Sequence, residues 1–396
     1  MNLQKGKHEG FATLLAFMLI PLSGFSTDIY LPSFPAMAKS LSVSNGYIQL
    51  TLTCFLMSYG FGQFFIGSFL DSFGRYKPGL IALASLGISS LMIGLSHDIF
   101  FICAMRIIQG ISTATVVVGK RAFFVDVYEG DKLKHYLSMF TIVWSCGPIV
   151  APFLGGYLEK ALGWQSNFYF LTFYSFALLL LELIFSSETL KTFKPFRPKP
   201  VMDVYKMMVT NLHFVLGVII LGLCYSVVMV FSMSGPFVIG HTFGFSSVTI
   251  GYSALILGLA WMFGGIIGKK LIHYPLTRKI VISNSLQVVL VAAMLLVSHY
   301  IQNLYVLMMF AFLIHINAGF IFNNYFTYCI ALFPQNAGMA SGLTGGLLYM
   351  VTSFLSYLAV SFGKVNYQID IAWRYFIMII LLSLVLMVVL RFKEKI

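Results

Sequence analysis

Apolar residues run along this chain in long blocks, and polar residues are confined to the intervals between them. The blocks fall near 11–33, 46–70, 79–96, 99–119, 135–158 and 164–186, then near 212–238, 247–268, 280–298, 303–330, 338–362 and 372–390. About twenty apolar residues at 1.5 Å rise are enough to cross a bilayer as a helix. In lipid every backbone donor and acceptor must be satisfied within the chain, and segments this long and uniform suit helices rather than barrel strands. The pattern predicts an all-α polytopic membrane protein with twelve transmembrane helices in two six-helix halves. The first block is read as the first span. It is longer than the apolar core of a signal peptide and lacks a small-x-small cleavage site.

Composition agrees with that pattern. Of 396 residues, 59% are hydrophobic and only 10% charged, against about 25% charged in soluble domains. A net charge of +12 raises the possibility of a nucleic-acid partner, but the Lys and Arg residues sit in loops between apolar blocks, so none is expected. The five cysteines, Cys54, Cys103, Cys146, Cys224 and Cys329, fall singly inside apolar blocks without metal-ligand spacing. No metal or cofactor is expected, and the chain is expected to work as a monomer.

The loop charges set an orientation. With the N-terminus in the cytoplasm, the inner segments hold Lys5 and Lys7, Arg75 and Lys77, Lys120 and Arg121, Lys132 and Lys134, the basic residues between Lys191 and Lys206, those between Lys269 and Lys279, and Arg391, Lys393 and Lys395. The outer loops hold only Lys39, Lys160 and Lys364. The positive-inside rule then puts both termini in the cytoplasm. The chain has no Asn-x-Ser/Thr sequon, which fits a bacterial origin, so the bacterial cytoplasmic (inner) membrane is the expected location. The longest polar interval, SSETLKTFKPFRPKPVMDVYK from Ser186, is a basic, Pro-containing linker. It divides an N-terminal six-helix bundle (1–186) from a C-terminal one (211–396), with the linker itself at 187–210. The halves echo each other weakly. GSFLDSFGRYKP follows the second span and GKKLIHYPLTRK the eighth, while Trp164 opens the sixth and Trp373 the twelfth. Two repeated halves suit a transporter that rocks around a central site.

Three stretches carry a family resemblance. GSFLDSFGRYKP, from Gly67, resembles the Gly-x-x-x-Asp-x-x-Gly-Arg loop of the major facilitator superfamily. Gly67 permits close helix approach, Gly74 a tight turn, and Asp71 and Arg75 are opposite charges able to hold a helix end in one conformer. RIIQG, Arg106 to Gly110, is similar to the superfamily's Arg-x-x-Gln-Gly motif; an Arg inside a span is usually paired or cavity-facing. GPIVAPFLGG, Gly147 to Gly156, resembles the motif that marks exporters within the superfamily. There Gly147, Ala151 and Gly155 form a small-residue stripe, with Gly156 beside it, that lets backbones touch. Pro148 and Pro152 favour a bend.

A subset is indicated as well. DIYLPSFP, Asp28 to Pro35, resembles the Asp-x-Tyr-Leu-Pro opening of Bcr/CflA-type drug/proton antiporters. Asp126, Tyr128 and Gly130 match an Asp-x-Tyr-x-Gly pattern, with Val125 where that subset usually has Arg. NNYFTYCIALFPQNAGMASGLTGG, from Asn323, is similar to its tenth and eleventh spans. Two departures stand out: Ser72 follows the loop Asp where many superfamily members have Arg, and Tyr76 sits between Arg75 and Lys77.

Asp28 and Arg106 each lie about seven residues from the outer end of their spans, a shared depth of about 10 Å. The expectation is that Asp28 faces Arg106, or a cavity lined by both, as the leading proton carrier. Its hold on a proton would then depend on solvation and on the nearby cation, both of which alternating access changes. The alternative is a structural Asp bonding backbone amides near the prolines. His315, mid-span, is a second candidate carrier. Tyr30, Gln109, Trp144, Tyr225, Asn317 and Asn324 are candidate cavity residues, and Phe34, Tyr59, Trp261 and Tyr325 further aromatics for a pocket.

No Gly-x-x-x-x-Gly-Lys-Ser/Thr loop indicates an intrinsic ATPase. The expected activity is export of small, largely hydrophobic compounds in exchange for protons. A narrow-substrate exporter of a metabolite or siderophore is the alternative, and a polytopic membrane enzyme a remote one. Its partners would be protons, a small hydrophobic or amphipathic substrate and the lipid bilayer.

Overall fold

A computed structural model describes residues 9–193, 195, 196 and 198–393. Lys5, Lys7, Lys194, Arg197 and Lys395, used above to orient the chain, lie outside the described residues. All twelve blocks form helices long and apolar enough to span a membrane, from Gly10–Ser40 to Gln368–Arg391. They lie within a few residues of their sequence positions in most cases.

The first span departs furthest from a straight rod. It is built from α1 (Glu9–Leu19), α2 (Leu22–Asp28), a 3-10 turn (Leu31–Ser33) and α3 (Phe34–Ser40). The breaks follow the prolines. Pro21, Pro32 and Pro35 have no N–H to return to the carbonyl four residues back, which for Pro32 is that of Asp28. The sequence block at 11–33 therefore stopped short, because three prolines close together read as an end when they are an interruption.

The other spans of the N-terminal half are α4 (Asn45–Phe73), α5 (Tyr76–Leu95), α6 (Ile99–Val127), α7 (Gly130–Leu162) and α8 (Gln165–Phe185). Here α6 corrects the sequence reading. It runs past the apolar block, so Lys120 and Arg121 are inside a helix rather than in a loop. The Lys120 ammonium sits 2.7 Å from Glu182 of α8, a paired charge at a depth where an unpaired one is costly. The linker is also less irregular than its composition implied: α9 (Pro198–Val209) forms within it. Its Tyr205 hydroxyl donates to the Phe64 carbonyl, and its Met208 is fully buried.

The C-terminal half holds α10 (Leu212–Phe237), α11 (Ser247–Lys270), α12 (Leu276–Tyr300), α13 (Leu304–Ala331), α14 (Ala337–Ser361) and α15 (Gln368–Lys393). Small residues set its tightest contacts. A Cβ on Gly264 would lie 2.0 Å from the Ile316 carbonyl oxygen, and one on Gly319 2.4 Å from that of Trp261. Thus α11 and α13 touch backbone to backbone. The halves meet the same way, since a Cβ on Gly60 of α4 would lie 2.8 Å from the carbonyl oxygen of Gly346 on α14. At the end away from the basic loops, Gln49 reaches the Met233 carbonyl at 2.8 Å, and the Phe34 and Phe237 rings pack 5.9 Å apart.

Gly67 does not make the close approach its motif position suggested: a Cβ there would meet nothing within 4 Å. Gly67→Ala is therefore expected to leave thermal stability in detergent unchanged or slightly raised, by up to about 1 kcal/mol, as for Ala replacing Gly in a helix. Gly264→Ala is expected to lower it by about 1–3 kcal/mol through overpacking. Thermal melts of the two purified variants check this, and equal stability would contradict the packing described.

Candidate functional site

Between the halves lies a cavity of about 1140 Å³. It runs from Asp28 to Ile272 and Tyr274, in the loop between α11 and α12, so it reaches the end that carries the basic loops. Its wall is aromatic and crosses the halves. Tyr59 meets Tyr349 at 4.8 Å between ring centroids, Tyr349 meets Tyr225 at 5.8 Å, Tyr225 meets Trp261 at 5.8 Å, and Trp261 meets Phe322 at 4.9 Å. Such a wall offers large apolar faces and a quadrupole that tolerates flat or charged groups.

Asp28 ends α2 where the first span breaks, and it lines this cavity. Its side chain is buried, and Oδ2 has no hydrogen-bond partner. It is the one carboxylate among the described residues that line the cavity. A buried ionised carboxylate without full hydrogen bonding is costly, so a proton or a ligand donor has a place to go.

Arg106 departs from expectation. It does not line the cavity and forms no ion pair with Asp28. It is fully buried behind the break, where Nη1 donates to the Ser26 carbonyl at 2.8 Å and to Gln109 Oε1 at 2.6 Å. Its guanidinium carbon lies 4.5 Å from the Tyr30 ring centroid and 4.4 Å from that of Phe55. The reason is the interruption itself. The last turn of α2 presents the Ser26 carbonyl, and a planar, many-donor cation stacked between two rings is suited to take it.

Two candidate cavity residues are thereby reassigned. Tyr30 is stacked on Arg106 and bonded to Thr51 at 2.9 Å, and Gln109 bridges Arg106 to Ser90; neither reaches the cavity. Asn317 is turned away too, accepting from Ser283 and donating to the Leu313 carbonyl. Phe34 and Tyr325 lie in the packed core. Trp144, Tyr225, Asn324 and His315 line the cavity, as do Tyr59 and Trp261. Nδ1 of His315 lies 2.7 Å from the Ala311 carbonyl oxygen. A carbonyl only accepts, so Nδ1 carries a proton, while Nε2 is buried and without a hydrogen-bond partner.

The α7 glycines press against the broken span. A Cβ on Gly147 would lie 2.8 Å from the Pro21 carbonyl oxygen, and one on Gly155 1.6 Å from that of Ile29. On the other side, a Cβ on Gly156 would lie 2.5 Å from the Ser247 carbonyl oxygen of α11. Ala151 is fully buried between them, and Pro148 and Pro152 line the cavity. This smooth strip of α7 therefore contacts both halves at once.

At the opposite end, Arg75 joins two carboxylates: Nη1 lies 2.7 Å from Asp71 and Nε 3.0 Å from Asp126. Gly74 makes the turn with φ +91°. Glu188 accepts from the backbone N–H groups of Arg75 and Tyr76 at 2.9 and 3.1 Å, capping α5. Sequence reasoning missed Glu188. It reads as linker, and nothing local marks a residue 113 positions away as a helix cap.

Residues 16–357 match the family model of the Major Facilitator Superfamily. The chain belongs to that superfamily. It is 31% identical over 364 residues, 89% of each chain, to the uncharacterized MFS-type transporter YdgK of Bacillus subtilis. It is 35% identical over 191 residues, 48% of each chain, to a bicyclomycin resistance protein homolog of Haemophilus influenzae. It is 24% identical over 350 residues, 87% of each chain, to multidrug resistance protein D of Escherichia coli. These relatives agree with the Bcr/CflA-type resemblance of the sequence. Among solved structures, a D-xylose–proton symporter superposes with a TM-score of 0.73 at 15% identity, covering 96% of this chain and 97% of that one. The superfamily's fold is thus shared at low identity.

The Arg106 arrangement is expected to be intolerant of Lys. A lysine cannot reach Ser26 and Gln109 together while stacking between Tyr30 and Phe55. Arg106→Lys is expected to lose about 1.5–3 kcal/mol, the worth of a charged hydrogen bond. A thermal melt of the purified variant checks this, and a parental melting temperature would contradict it.

Proposed function

We propose that this superfamily transporter exports small, largely hydrophobic compounds in exchange for protons. The observation that carries the reading is the buried, unpartnered carboxylate of Asp28 in a cavity shared by both halves. In this reading Asp28 is the proton carrier. Arg106 acts on it indirectly, by fixing the break that presents it, and His315 Nε2 is a second acceptor on the same wall. Loading a proton neutralises Asp28 and lets the cavity close over an apolar environment. Binding of a compound displaces the proton. Each charge moved down 100 mV supplies about 2.3 kcal/mol to the cycle.

The moving parts in this reading are residues 1–186 and 211–396, joined by the 187–210 linker. The α7 strip seals the outer end, and Asp71, Arg75, Asp126 and Glu188 form a gate that breaks and reforms at the inner end. Both termini are placed in the cytoplasm and the protein in the bacterial inner membrane. The charge distribution and the bacterial relatives support this. The resistance names of two of those relatives support an exporter of antibacterial compounds.

The test uses detergent-solubilised protein and a panel of hydrophobic antibacterial compounds, with proton release followed by a pH-indicator dye. The parent is expected to release protons on addition of at least one compound. Asp28→Asn is expected to release none, while His315→Gln retains release. Unchanged release from the Asn variant would remove Asp28 from its role.

A further inference from the structure

The charges along the cavity are unequal in sign and separated in space. Asp28 lies toward the end away from the basic loops. Toward the mouth the wall carries Arg121 of α6, Lys269 at the end of α11 and Lys279 in the first turn of α12. Among the described residues, none of the three is in ion-pair reach of a carboxylate. Their neighbour Lys120, one position from Arg121, turns the other way and is neutralised by Glu182. The contrast is informative, because the chain pairs the α6 cation that faces protein and leaves unpaired the one that faces the hollow.

Arg121 is the most telling of the three. It stands six residues before the end of α6, about 9 Å inside it, rather than at a helix end where positive charge simply marks the cytoplasmic side. Among the described residues one of its five donors is used, Nη1 to the Ser341 hydroxyl of α14 at 3.1 Å. It therefore stretches from one half to the other with most of its fork free. Lys279 is 9% exposed, and its only bond recorded among the described residues is to the Leu271 carbonyl at 3.1 Å. A guanidinium fork held over a shaped apolar cavity is a ready receptor for a carboxylate or sulfonate.

We infer that the cavity selects organic anions: compounds with one negative group, seated against Arg121 and Lys279, on an aromatic or apolar body lying on the Tyr225–Trp261–Phe322 wall. This rests on the transporter reading above and adds the charge of its substrate. The lone acid at the far end fixes the orientation, since it repels the anionic group and leaves the apolar end toward Asp28. Arg121 couples that anion to both halves through its bond to the Ser341 hydroxyl of α14.

Three naphthalene probes of matched size test this: 1-naphthaleneacetate, its neutral amide, and 1-naphthylethylamine. Binding to the purified full chain is followed by quenching of the cavity tryptophans Trp144 and Trp261. The acetate is expected to bind at least about tenfold more tightly than the amine, with an affinity that falls as salt is added. Arg121→Gln is expected to cost the acetate about tenfold or more and to leave the amide within about twofold, which also controls for folding. Arg121→Lys is expected to recover part of the loss. The inference is overturned if the amine binds as tightly as the acetate, or if Arg121→Gln weakens acetate and amide alike. The two readings separate in proteoliposomes. Acetate bound through Arg121 but never moved against a proton gradient sinks the antiporter and supports the anion site. Gradient-driven transport that favours the amine does the reverse.

Discussion

The carbonyl of Ser26 and the guanidinium of Arg106 form the contact on which the cavity's chemistry depends. A helix broken inside a bilayer must give its loose carbonyls a partner, because lipid offers none. Pro21, Pro32 and Pro35 break the first span, and Arg106 accepts the consequence by donating to Ser26 from a slot between Tyr30 and Phe55. The break ends α2 at Asp28 and leaves that carboxylate in the cavity with one oxygen unpartnered. An unbroken helix would satisfy its own backbone and would have no such need of a buried cation behind it.

The surrounding glycines make the arrangement rigid. Gly24, Gly147 and Gly155 bring α7 so close to the first span that even a methyl group would collide with backbone. Gly156 and Gly251 do the same between α7 and α11. With no side chains between them, these helices move together or separate cleanly, which is the behaviour the proposed rocking of two halves requires. The inner end is built differently. There Arg75 is held by Asp71 and Asp126, and Glu188 caps the helix that follows. Charge contacts of this kind break and reform at small cost when water reaches them.

Much of this was legible in the sequence, for reasons that differ from part to part. Twelve apolar blocks gave twelve spans because length and hydropathy are local properties. Asp28, Arg106 and the α7 glycines stood out because each breaks the local rule of its surroundings. What failed was direction. Tyr30, Gln109 and Asn317 share depths with the cavity, but rotation about a helix axis decides which side chains face it, and apolar blocks in a helical bundle carry little rotational signal. Gly67 fits its motif, yet a Cβ there would meet nothing within 4 Å. Arg121 was counted as a loop charge because the apolar block ended at residue 119, while α6 continues to Val127. Glu188 depended on a tertiary contact that no short window contains.

The central claim is that the carboxylate presented by the broken span exchanges a proton with the cavity. Infrared difference spectroscopy of the purified chain across an acid-to-neutral pH step reads this directly, through the carbonyl band of a protonated carboxyl group. The account expects a band lost on the step that is missing in Asp28→Asn and retained in Arg121→Gln. Identical difference spectra for the parent and Asp28→Asn would contradict it.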